Sequence, residues 1–149
     1  MKTQEAGVCR LRSGFTMIEL MAILVILGLL ATLVVTKVAT QVDKARVTTT
    51  KTNLKTLHAS VLRFKFDTGR YPTEEEGLNV LIEEPTDVTG YEPEGYLETT
   101  ELPLDGWGHD FIYLRNPEGG LPFVIVSYGA DGEEGGEDYD ADLYSTDAQ

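Results

Sequence analysis

From Leu20 to Val35 the chain is apolar without a single charge, interrupted only by Gly28 and Thr32, and one carboxylate, Glu19, stands at its edge. A run of this length predicts a membrane-spanning helix over residues 15–36. The pattern then changes period without stopping. Val47, Thr50, Leu54, Leu57, Val61 and Phe64 recur at spacings of three and four, with Lys51, Lys55, Arg63 and Lys65 elsewhere around the helix. That stripe predicts an amphipathic continuation whose apolar face seats a globular head. A coiled coil with another chain fits less well, because the pattern holds for under three heptads. No proline precedes Pro72, so one helix from about Thr16 to Phe66, roughly 75 Å long, carries both patterns. Asp67-Thr68-Gly69-Arg70-Tyr71-Pro72 ends it with glycine and proline as stop signals.

Beyond Pro72 the signals are short. Thr73-Glu74-Glu75-Glu76 has the order of a capping box, with the Thr73 hydroxyl positioned for the Glu76 amide, and opens a short helix that ends before Pro85. A proline- and glycine-rich loop comes next, from Pro85 to Pro103. Asp110 to Arg115 and Pro122 to Tyr128 read as two strands joined by the turn Asn116-Pro117-Glu118-Gly119-Gly120. The fold class is therefore α+β: a long N-terminal helix and a small C-terminal antiparallel-sheet head packed on its amphipathic half. A chain of 149 residues holds one membrane element and one modest domain.

Charge gives the chain a direction. Lys2, Arg10 and Arg12 precede the apolar run and face one acid, Glu5; Lys37 to Arg70 carries eight basic and two acidic residues; beyond Arg70 stand 21 acids and one base, Arg115. Positive charge before the run keeps the N-terminus cytoplasmic and sends the acidic head outward. A net charge of −13 argues against nucleic-acid binding, which needs a basic patch. The only cysteine, Cys9, lies before the apolar run, so the head has no disulfide and relies on packing or a metal. No serine or cysteine nucleophile sits in a recognisable setting, and His58 and His109 read as structural or surface residues, so no catalytic residue is assigned.

Glu19 needs explaining, because an ionised carboxylate beside hydrocarbon costs a few kcal/mol unless paired. A free amino group made by cutting after Gly14 would pair it. A secretory signal would place its cleavage site after the apolar run, where Thr36-Lys37-Val38 offers none. Gly14-Phe15-Thr16-Met17-Ile18-Glu19-Leu20 resembles the prepilin signature of the type IV pilin and type II secretion pseudopilin superfamily. The resemblance implies a leader of residues 1–14, cleavage between Gly14 and Phe15 by a prepilin peptidase, N-methylation of Phe15, and pairing of Glu19 with a neighbouring subunit's N-terminus during assembly.

The head narrows the resemblance. Gly69-Arg70-Tyr71-Pro72-Thr73, Glu76-Gly77-Leu78, Pro103-Leu104-Asp105-Gly106-Trp107-Gly108, Ser127-Tyr128-Gly129-Ala130-Asp131-Gly132, Gly135-Gly136-Glu137 and Ala141-Asp142-Leu143 look like those of the major pseudopilins of type II secretion, over nearly the whole chain after Gly14. This implies a structural subunit, not an enzyme: a prepilin spanning the bacterial inner membrane once over 15–36, with a periplasmic head over 37–149. It would polymerise into a pseudopilus with the help of an inner-membrane assembly platform and minor pseudopilins, and so drive folded proteins across the outer membrane. A type IV pilus subunit and a membrane-anchored monomeric calcium-binding module are the alternatives. Two positions depart from the family: it usually has proline where Thr36 stands and before the tryptophan, where this chain has Gly106, leaving that turn looser.

Asp131, Glu133, Glu134, Glu137, Asp138, Asp140 and Asp142 crowd into twelve positions with Gly132, Gly135 and Gly136. On composition the segment reads equally as a solvated surface or as a site for calcium, which takes hard oxygen ligands at irregular geometry. It is not an EF-hand: Gly135 replaces a ligand position and Asp142 the closing glutamate. The resemblance implies a different calcium loop, carried here by the side chains of Asp131, Asp140 and Asp142 and the carbonyls of Tyr128 and Glu133, with Glu137 as a further candidate.

Overall fold

The computed structural model describes residues 14–117 and 119–147, the side chains of residues 32–40 excepted. The elements in order are the helix α1 (Met17–Thr68), a 3-10 helix Gly77–Leu81, and the strands β1 (Ile112–Arg115), β2 (Phe123–Ser127) and β3 (Leu143–Tyr144). The chain divides into two compact units after Ala39.

In the first unit every described side chain from Phe15 to Ala31 is exposed. Among the described residues no helix is long and apolar enough to cross a membrane. The span expected over 15–36 runs into residues 32–40, whose side chains, Thr36 included, lie outside the described set. α1 begins with a capping box that the sequence pattern had not singled out. The Thr16 hydroxyl accepts the Glu19 amide at 3.3 Å, while the Thr16 amide donates to Glu19 Oε2 at 3.3 Å, so each side chain satisfies the other residue's otherwise orphaned amide.

In the second unit the expected stripe is the core face of α1: Leu54, Leu57, Val61 and Phe64 are fully buried, as is Thr50. They join one cluster with Leu78, Leu81, Tyr96, Phe111, Tyr113, Phe123 and Ile125. Phe64 meets the edges of Tyr91 and Tyr96 at centroid distances of 6.3 and 5.5 Å, a favourable ring geometry. α1 stops where the sequence signals it, with Gly69 in the left-handed region at φ +80° and its amide bonded back to the Lys65 carbonyl at 2.9 Å.

The Thr73 capping box forms as expected, with Glu76 N–H on the Thr73 hydroxyl at 3.3 Å and Thr73 N–H on Glu76 Oε2 at 2.8 Å. The element it opens is shorter than a helix of several turns. It is a five-residue 3-10 helix, because the left-handed Gly77 (φ +56°) breaks the backbone run. Arg70 grips Glu76 through two bonds of 2.8 and 2.7 Å and reaches Asp87 at 2.8 Å. The guanidinium bonds push the Glu76 carboxyl down to about 2, and this clamp ties the helix end to the loops after it.

β1 and β2 pair antiparallel with Tyr113 opposite Ile125, and they are the two strands expected from the sequence. The Tyr113 hydroxyl donates to the Pro72 carbonyl at 3.0 Å, and burial pushes its phenol up to about 12. β3 is an addition. It pairs with β2 through Val126 opposite Tyr144 and Ser127 opposite Leu143, giving a three-stranded antiparallel sheet with β2 in the middle. A two-residue strand has no pattern to detect, and its presence makes the acidic segment the β2–β3 connection.

Candidate functional site

The acidic connection is anchored from below by a buried carboxylate. Asp105, 6% exposed, accepts the amides of Trp107, Gly108 and His109 on Oδ1 at 2.9, 2.8 and 2.9 Å. Its Oδ2 accepts the Ser127 hydroxyl at 2.7 Å. Burying an ionised group is costly unless it is fully hydrogen-bonded, and four donors meet that condition here. The Asp105 turn is thereby bonded to the end of β2. His109 continues the link: its Nδ1 lies 3.1 Å from the Gly129 carbonyl, and its ring packs under Gly132, where a Cβ would come within 3.2 Å of it.

The expected looser turn at Gly106 is overturned. Its amide donates to the Thr50 hydroxyl of α1 at 2.8 Å, a bond that proline cannot make. A Cβ at this position would stand 2.4 Å from the Arg46 carbonyl oxygen. Glycine here allows a closer approach to α1, which replaces the rigidity that a proline ring would supply.

Above this base the connection folds back on itself. The Ala130 amide bonds the Tyr139 carbonyl at 2.9 Å, and the Asp140 amide bonds the Glu137 carbonyl at 3.1 Å. Gly129 and Gly136 both press on the Asp140 backbone, where added Cβ atoms would fall 2.7 and 2.5 Å from its atoms. Asp131 accepts the Glu133 amide at 3.1 Å. Asp142 accepts the Gly135 amide and the Tyr144 hydroxyl, each at 3.1 Å. Asp131 and Asp142 thus each brace a different part of the loop, and Asp140 lies between the two glycines. Asp131, Glu133, Glu137 and Asp140 are exposed, and Tyr128 and Asp142 are half-buried.

Among the described residues no three carboxylate, histidine or cysteine groups gather closely enough to hold a metal by side chains alone. A cation here would draw on main-chain carbonyls as well. The donors are hard oxygens, which fit calcium and not zinc.

At the other end of the chain, Gly14 and Phe15 are exposed ahead of α1, Phe15 at 75%, and Glu19 is held in its capping box. Residues 1–13, where the leader is expected and Cys9 lies, are outside the described residues. His58 is structural: it packs on Phe123 at 4.7 Å, lies 3.3 Å from the Ser145 hydroxyl, and burial lowers its pKa from the ordinary value.

Sequence reasoning missed Asp105 and the Thr16–Glu19 box as organisers. Both were readable: Asp-Gly-Trp-Gly is an aspartate ahead of a glycine turn, and Thr-Met-Ile-Glu has capping-box spacing.

An exposed apolar helix with one carboxylate at its start, continuous in sequence with a small sheet domain closed by an acidic loop, defines a pilin-type subunit. The chain matches the family described as type II secretion system (T2SS), protein G, over residues 37–146. The prokaryotic N-terminal methylation motif matches over residues 9–35. It is 43% identical over 137 residues to the type II secretion system core protein G of Pseudomonas aeruginosa, covering 90% of this chain and 94% of that protein. The core protein G of Vibrio cholerae is 37% identical over 136 residues, covering 90% and 91%. The crystal structure of the major pseudopilin from the type 2 secretion system of enterohaemorrhagic Escherichia coli superposes with a TM-score of 0.57 at 32% identity, covering 68% of this chain and 87% of that one. This chain belongs to the type II secretion system protein G family.

Proposed function

We propose that this chain is the structural subunit of a type II secretion pseudopilus, a filament that drives folded proteins across the outer membrane. The observation that carries the reading is the uncovered first part of α1. Every described side chain from Phe15 to Ala31 is exposed, whereas the head closes its own core, so this apolar surface requires another home: lipid before assembly, and the α1 helices of other copies after it. The charge-free run Leu20–Val35 with Arg10 and Arg12 before it supports one pass of the inner membrane, N-terminus cytoplasmic and head periplasmic. Gly14, lacking a Cβ, supports peptidase cleavage before Phe15 and methylation of the new amino group, with the assembly platform and minor pseudopilins as further partners. Glu19 is then the partner of that amino group in a neighbouring copy.

Calcium is part of the proposal. Asp131, Asp140 and Asp142, with the Tyr128 and Glu133 carbonyls and Glu137 in reserve, would hold it. Bound there, it would offset the repulsion among seven acids in twelve positions. The chain's own share is to fold the loop back through the glycine contacts on Asp140 and to anchor it through His109 and Asp105.

Deletion of the gene tests the reading. Exoproteins trapped in the periplasm, with mass spectrometry finding methylated Phe15 in the complemented strain, are the expected results. Lost surface fibres with normal secretion would instead make this a type IV pilus subunit. Normal secretion and fibres, with no crosslinked ladder of the chain, would make it a monomeric module.

A further inference from the structure

Lys44, Lys51, Lys55, Leu62 and Phe66 lie at successive multiples of the helical repeat and form one line along α1. It runs on the side away from the buried line of Thr50, Leu54, Leu57, Val61 and Phe64. All five are exposed, Leu62 at 43% and Phe66 at 85%. Arg46 and Arg63 of α1, and Arg70 just beyond its end, show where partners exist within the chain. Arg63 reaches Glu92 at 3.1 Å, Arg70 holds Glu76 and Asp87, and Arg46 lies 3.9 Å from Asp43. Among the described residues no ion pair reaches Lys44, Lys51 or Lys55. No acid lies on their line. Three unpaired lysines followed by an exposed leucine and phenylalanine form a surface with a basic half and an apolar anchor.

We infer that this outward line of α1 is a docking surface for the acidic head of a second copy of the same chain. The charge pattern commits the surface to that occupant: residues after Arg70 carry 21 acids against one base, so a second copy brings the complementary charge at equal concentration. Within one chain, head acids already engage cations that they can reach, as Glu92 on Arg63 of α1 and Glu76 and Asp87 on Arg70 just after it show. Charge complementarity of this kind sets register and discriminates against wrong partners, and an exposed aromatic at one end supplies the anchor that charge alone lacks. The inference rests on the reading of the chain as a filament subunit and names the surface through which copies meet outside the apolar half of α1.

The test uses the full chain, expressed in cells lacking its own gene, with the ladder of crosslinked copies as readout. Lys51→Glu with Lys55→Glu should abolish the ladder, and Phe66→Ser should reduce it several-fold. Both lysines are exposed, so the double variant should keep its thermal melt. Lysine pairs are then introduced into the same double variant at Glu74/Glu75, Glu83/Glu84, Glu98/Glu101 or Glu133/Glu134. One of these pairs should restore the ladder. A double variant that ladders like wild type overturns the inference and leaves the filament reading intact. Loss that no lysine pair restores also overturns it, and assigns the lysines to anionic lipid. A wild-type chain that forms no ladder removes both readings.

Discussion

Glu19 serves its own helix before it can serve a neighbour. Its carboxylate accepts the Thr16 amide at 3.3 Å, so the free subunit already partly satisfies the charge. Replacing Glu19 by valine therefore removes two things at once, the reciprocal half of the capping box and a negative charge. Glu19→Gln separates them, because a glutamine carbonyl completes a capping box as well as a carboxylate does. Both variants should insert in the membrane. If pairing with the Phe15 amino group drives assembly, both should fail to form filaments; a Gln variant that assembles normally would leave Glu19 with only its local role. Gly106→Ala puts a methyl group 2.4 Å from the Arg46 carbonyl oxygen, so it should cost about 1–3 kcal/mol in stability, as overpacking does. Gly106→Pro should cost more, since it also deletes the bond to Thr50. Thermal melts of a fragment starting at Thr40 would check both, and an unchanged midpoint for the proline variant would contradict the close approach.

Among the elements, α1 was legible because its signal is long. An uninterrupted 3.6-residue period from Val47 to Phe64, no proline, and Gly69 after the last turn point to one element, and the buried face is the stripe itself. β1 and β2 were legible as two short apolar runs on either side of a turn-rich segment. β3 was not, since Leu143–Tyr144 owes its extended form to pairing with β2 and not to its own pattern. The short helix after Thr73 kept its predicted cap but not its length, because Gly77 takes a conformation that an α-helix cannot continue through. The loop between β2 and β3 was legible in composition and not in architecture: its foundation, Asp105, lies more than twenty residues upstream and acts only through tertiary contact. For the Thr40 fragment, calcium at about 100 times Kd should add roughly 2.7 kcal/mol, and chelation should lower the melting temperature. Asp131→Ala and Asp142→Ala should remove the calcium-dependent shift, while Glu134→Ala should keep most of it. The shift is the readout, because Asp131 and Asp142 also accept loop amides, and their loss lowers the midpoint with or without metal. Equal melts with calcium and with chelator would leave a solvated acidic loop.

For the molecule as a whole, one contact after the acidic loop sets when the head can be complete. Ser145 is fully buried. Its amide donates to the Ile125 carbonyl at 2.8 Å, and its hydroxyl accepts the Ile125 amide at 3.1 Å. A chain ending at Asp142 loses β3 and leaves both main-chain groups of Ile125 without partners in the core, at about 1–3 kcal/mol each. Such a chain should be degraded in the cell, and full-length protein should resist the same protease; equal survival would show that the sheet closes without β3. Ile125 waits for a residue twenty positions later in the sequence. During synthesis, the middle strand therefore stays open until the residues beyond the acidic loop have emerged, so a translation product stopped early presents an unfinished sheet to any protease it meets.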